Sequence, residues 1–219
     1  MKTLTKEAQQ AITPLMAIEI LKKGNERFQN NLKANRNLLQ QVNETSDGQH
    51  PFAVILSCID SRTSAELIFD QGLGDIFSIR IAGNIVNEDI LGSMEFACKV
   101  AGAKIIVVLG HSKCGAIKGA CDNVELGNLT ALLTKIKPAI DEETTVTKDR
   151  NSKNGDYVEK VAQLNVKKTV DAIIERSPIL KEMIDSGAIG IFGGMHDIST
   201  GLVEFYSDAE KVYSKWVNE

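Results

Sequence analysis

No apolar run in this sequence approaches the roughly 20 residues that a membrane-spanning helix needs. The N-terminal stretch MKTLTKEAQQAITPLMAIEILKKG carries Glu7, Gln9 and Gln10 where a signal peptide needs unbroken apolar character. Basic clusters are missing too. The chain has 25 basic residues against 29 acidic ones, a net charge of −4, which argues against a nucleic-acid partner. Aromatics make up only 5% of the residues, with one tryptophan, Trp216, and there is no repeat or low-complexity tract. These absences predict a cytoplasmic protein with neither membrane nor nucleic acid as partner. In a reducing compartment its four cysteines (Cys58, Cys98, Cys114, Cys121) read as metal-binding or catalytic rather than disulfide-bonded.

What is present is an alternation of buried strands and helices. Thr13-Pro14 reads as N-cap and first helical residue of a helix with a stripe of Leu15, Ile18, Ile20 and Leu21. Its position ahead of the core predicts an arm over residues 1–35. A polar segment, Lys33 to Gln49, leads to the first strand, FAVILSC. SAELIF follows as a short helix, DIFSIRIAG as a strand, and EDILGSMEFACKVAG as a helix with Ile90, Leu91, Met94, Ala97 and Val100 on one side. AKIIVVLG is a third, wholly apolar strand, the pattern of a strand buried on both faces. Helices GAIKGACD and LTALLTKIKPAID come next, then a polar surface loop, DEETTVTKDRNSKNG, and a long periodic helix from Asp156. PILKEMIDSG, two strands in AIGIFGGM and GLVEFY, and a last helix carrying Trp216 complete the chain. The expected fold is an α/β domain: an open, mainly parallel β-sheet flanked by helices, with a core over residues 50–219.

In such sheets the functional loops lie beyond the carboxyl ends of the strands. SCIDSR puts Cys58 and Asp60 at the end of the first strand, with Arg62 just beyond. GHSKCG puts His111 and Cys114 at the end of the third. Two thiolates and an imidazole are a zinc set, and three protein ligands leave a fourth tetrahedral position open, as in catalytic sites. Cys121, in a helix seven residues after Cys114, reads as a packed apolar group. Asp60 and Arg62 read as a carboxylate held ionised, beside the metal, by a bidentate partner. Taken singly, each feature has an ordinary explanation: a core cysteine, a chance His-x-x-Cys, a loop salt bridge.

C-x-D-x-R followed by H-x-x-C, with GDIFSIRIAGN and GHSKCGAIKG, resembles the β-class carbonic anhydrases over about Gln49 to Cys121, with an echo in GGMHDISTGLVEFY. The resemblance implies one Zn2+ per subunit on Cys58, His111 and Cys114, and reversible hydration of carbon dioxide to bicarbonate by zinc-bound hydroxide. It implies that Asp60, paired with Arg62, orients that hydroxide, or becomes the fourth zinc ligand in a closed state. Gln49 matches a substrate-binding glutamine, Phe77 and Ala82 line the carbon dioxide pocket, and Phe96 stands where many members carry tyrosine. The Gly115 N–H is implied as an anion donor. Active sites at dimer interfaces imply a homodimer or homotetramer. Some members bind inhibitory bicarbonate beside a tryptophan; Ile55 stands there, so the closed form is not expected through that site, although Arg80 matches its arginine. The same ligands would also serve a carbonyl sulfide or carbon disulfide hydrolase, or a non-catalytic zinc protein. His50 reads as a surface residue, His196 as a turn residue. GHSKCGAI and GLGDIF each lack part of a nucleotide-binding fingerprint.

Overall fold

The computed structural model describes residues 2–206. The expected last helix with Trp216 lies outside them. Two helices open the chain, α1 (Lys6–Ala11) and α2 (Pro14–Gln29), each started by a threonine whose hydroxyl accepts a first-turn N–H. The polar segment holds a third, α3 (Leu38–Glu44), which buries only Gln41 and leaves its apolar Leu38, Leu39 and Val42 exposed. Then come β1 (Ala53–Ser57), α4 (Ala65–Ile68), β2 (Ile76–Arg80), a tight turn Ala82–Asn84 and α5 (Glu88–Glu95). A π turn, Phe96–Val100, leads to β3 (Ile105–His111) and α6 (Gly115–Cys121). After these lie α7 (Gly127–Leu133), α8 (Lys137–Glu142), α9 (Gly155–Arg176), α10 (Pro178–Asp185), β4 (Gly190–His196) and β5 (Val203–Phe205).

The strands form one sheet in the order β2-β1-β3-β4-β5, parallel except for β5. Chain direction across the sheet reverses between β1 and β3, and a crevice opens at the carboxyl ends of two such strands. Alternate residues of the wholly buried β1 and β3 supply two cores. Val54, Leu56, Ile106 and Val108 join α5, α6, α9 and α10 on one face, while Ala53, Ile55, Ile105 and Val107 join α2 and α4 on the other.

Three details differ from the sequence reading. α2 lays Ala17, Ile18 and Leu21 on its own sheet, and Leu15 faces outward, half exposed. The π turn, closed by Ala101 N–H to the Phe96 carbonyl, inserts an extra residue that swings Val100 out and Cys98 in. His196 is no turn residue: it ends β4, buried, in register with His111. The polar loop before α9 lies where expected, although Arg150 ties it to the carbonyls of Ile140, Glu143 and Val146.

Candidate metal centre

β1 and β3 run side by side, Ser57 opposite Leu109, so their ends bring together residues more than fifty positions apart in sequence. Cys58 leaves β1, His111 closes β3, and Cys114 caps α6. All three are buried, and their ligand atoms lie within 4.8 Å of one another. Among the described residues no other group of three or more His, Cys, Asp or Glu side chains is so placed. The two sulfurs are 3.9 Å apart. Tetrahedral zinc with sulfur bonds of about 2.3 Å would set them about 3.8 Å apart, so the pair is spaced for one ion.

Protonation agrees with that fit. His111 Nδ1–H donates to the Ser112 carbonyl at 3.0 Å, leaving Nε2 as the bare nitrogen. Nε2 is buried and has no hydrogen-bond partner, a state that a cation among the three ligands relieves. Between the thiols, the Cys114 hydrogen bond pulls the Cys58 pKa down against the push of burial. Cys114, as the donor and also by burial, is pushed up. Backbone amides of Gly83 and Asp60 add to the lowering at Cys58, and those of Ile117 and Ala116 pull against the rise at Cys114. Such amides stabilise thiolate charge.

Asp60 is not among the ligands. Arg62 takes it in a fork, Nε to Oδ1 at 2.9 Å and Nη2 to Oδ2 at 2.8 Å, and adds its own N–H to Oδ1 at 3.0 Å. That partner holds the carboxyl well below the usual range, outweighing desolvation. Two residues unmarked as loop holders by the motif fix the turn. Thr63 Oγ1 donates to the carbonyls of Cys58 and Asp60, and Arg80 does the same from Nε and Nη2. Their signal was faint: a threonine just past C-x-D-x-R and an arginine one strand away. Ile55 is buried on the other face of the sheet.

The remaining expected residues divide: Gln49 lies away from the ligands, whereas Gly115 directly follows Cys114 and Ala82 stands in the turn packed against β1, β3 and α6. Gln49 is exposed ahead of β1, at the opposite end of the strand from Cys58, and the strand alone spans about 15 Å. Phe77 meets Phe96 edge to face at 6.3 Å, on the edge strand and the π turn, and Phe96 is half exposed. Ala82 is half-buried beside Gly83, and Gly115 is exposed at the start of α6. His50 is half-buried next to Gln49. Cys98 and Cys121 are buried free thiols, pushed up to about 12 and about 11 by desolvation, the inert state of core cysteines. Beyond His111, a cavity of about 720 Å³ lies against Ser112, Lys113, Glu159 and His196.

Residues 53–203 match a family model described as carbonic anhydrase. Carbonic anhydrase 2 of Mycobacterium tuberculosis is 35% identical over 196 residues, covering 86% of this chain and 90% of that protein. The solved β-carbonic anhydrase CcaA superposes with a TM-score of 0.67 at 27% identity, covering 88% of this chain and 86% of that one. Tetrameric β-carbonic anhydrases of Sordaria macrospora share the fold, with a TM-score of 0.67 at 24% identity over 88% of this chain and 95% of theirs.

Proposed function

The chain belongs to the β-class carbonic anhydrases, and on that premise we propose how its residues carry out the hydration of carbon dioxide. The reaction converts carbon dioxide and water to bicarbonate and a proton, reversibly, and depends on zinc. The observation that carries this reading is three convergent ligands spaced for one tetrahedral ion, beside a carboxylate that is not itself a ligand. Zinc on Cys58, His111 and Cys114 supplies Lewis acidity that makes water ionisable near neutral pH. Arg62 keeps Asp60 ionised and fixed in direction. Oδ1 already accepts two hydrogen bonds and Oδ2 one, so Oδ2 retains a lone pair to take a hydrogen bond from the reacting water. Thr63 and Arg80 hold the peptide that carries Asp60.

A second copy of the chain completes the site. Gln49 is too far from its own Cys58 to touch substrate there, which favours a role in a neighbour's centre. The Phe77–Phe96 pair and Val100 leave apolar surface at the β2 edge for that neighbour to cover. This supports a homodimer or, by likeness to the Sordaria enzymes, a homotetramer. Ala82 and the Gly115 N–H are assigned to the substrate side. A cytoplasmic location suits four free buried thiols, and the net charge of −4 suits a small-molecule enzyme with no nucleic-acid partner. Among the described residues no helix is long and apolar enough to cross a membrane. The test is the loss of oxygen-18 from labelled bicarbonate, followed with the zinc-loaded and chelator-stripped protein. Accelerated exchange that disappears with zinc and returns on its addition supports the function; exchange at the uncatalysed rate in the loaded protein refutes it.

A further inference from the structure

The turn Ala82–Asn84 lies against β1, β3 and α6, and it bends through two successive left-handed residues, Gly83 at φ 69° and Asn84 at φ 42°. Gly83 has no room for a side chain: a Cβ would come within 2.9 Å of Ile136 Cδ1 and 3.3 Å of Ala116 Cβ. The turn is therefore wedged between the start of α6, which carries Cys114, and the end of β1, which carries Cys58. Holding the turn from behind is Asn165, on α9, which is 2% exposed and donates from Nδ2 to the Gly83 carbonyl at 2.8 Å. Asparagine is a costly residue to bury in the middle of a helix. Its neighbours along the inward face of α9 are Val158, Val161, Ala162 and Val166, so packing alone would take an apolar side chain.

We propose that Asn165 is a positioning residue for the metal centre: by fixing Gly83 it holds the turn wedged between the chain ends that carry Cys58 and Cys114, and so keeps the two sulfurs at the spacing that zinc needs. This rests on the assignment of Cys58 as a zinc ligand, but not on turnover. Holding the backbone between two ligand-bearing ends in place is the same kind of support that outer partners give to metal-bound histidines. Without the Asn165 amide, the Gly83 carbonyl is left buried and unpaired, and the left-handed turn is free to shift between the two ligand-bearing ends.

The experiment compares Asn165→Leu and Asn165→Ala with Thr169→Ala, a buried position one turn along the same helix. The alanine variant leaves space for water to reach the Gly83 carbonyl, so it serves if the leucine variant fails to fold. Zinc affinity is read by competition with a chelator, and the thiolate-to-metal absorption band is read in the cobalt(II)-substituted protein. The expected result is zinc binding weakened by about 10- to 100-fold and a shifted band in the Asn165 variants. Thr169→Ala is expected to lower the Tm of the metal-free protein without changing either readout. Unchanged affinity and band in the Asn165 variants, or an equal loss in Thr169→Ala, would overturn the proposal. Failure of the functional reading would appear separately, as absence of carbon dioxide hydration by the unsubstituted zinc protein.

Discussion

Arg36 holds Asp70 by side chain and main chain together, Nη1 donating to Oδ1 at 2.5 Å and Nη2 to the Asp70 carbonyl. Arg27 Nε and the Ala34 N–H take Oδ2. Asp70 itself stands at φ 44°, a left-handed conformation tolerated by Asp and Asn. The contact ties the segment after α2 to the end of α4, on the sheet face away from the α9 side.

Burial pushes the Asp70 carboxyl up, but Arg27, the Ala34 N–H and Arg36 outweigh it and leave its pKa below the ordinary value. A carboxyl depressed in the folded state stabilises fully above its unfolded pKa, about 3.9, and that contribution is lost as pH falls through the folded value. Asp70→Asn keeps the backbone conformation and strands two arginines, one of them buried. It should cost about 3 kcal/mol at neutral pH. It should also flatten the acid limb of stability below about pH 4. Urea unfolding at several pH values checks both; an unchanged midpoint would contradict the assignment.

Leu21→Ala on α2 should cost about 2–5 kcal/mol, because Leu21 is wholly buried against the sheet, whereas Leu15→Ala should lie within about 0.5 kcal/mol of the parent. Denaturant midpoints of the two variants separate them. Equal effects would mean that α2 does not present this face to its own sheet.

Removing Asp60 should separate metal binding from turnover. Asp60→Ala should retain one zinc per chain, measured by metal analysis, while kcat/KM for carbon dioxide falls at least about 100-fold. Loss of zinc together with activity would make Asp60 a ligand, against the Asp60–Arg62 pairing.

Chelating the metal from a buried ligand set should lower Tm. At a free zinc concentration of 100 times Kd the bound ion contributes about 2.7 kcal/mol, or roughly 5–10 °C for a chain of this size. Equal Tm values for stripped and loaded protein would show that the centre is not linked to folding.

The metal ligands could be read from the sequence because each strand end carries its own short motif, and parallel strand order brings two such ends together. The same logic could not place Gln49, which sits at the far end of β1 from Cys58, or show that Phe77 and Phe96 pack on each other. α3 hid because it is short and turns its apolar residues, Leu38, Leu39 and Val42, outward while burying Gln41. The outward turn of Val100 hid because the 3.6-residue period fails across a π turn. Asn165, Thr63, Arg80 and the Arg27–Asp70–Arg36 cluster act through backbone carbonyls or across long sequence separations, and neither spacing nor periodicity marks such contacts.

Stopped-flow hydration of carbon dioxide by the zinc-loaded protein, scanned from neutral to mildly alkaline pH, tests the central claim most directly. With Asp60 held off the metal by Arg62, the account predicts rapid turnover already at neutral pH. Turnover that appears only under alkaline conditions, or none at any pH with zinc fully bound, would contradict it.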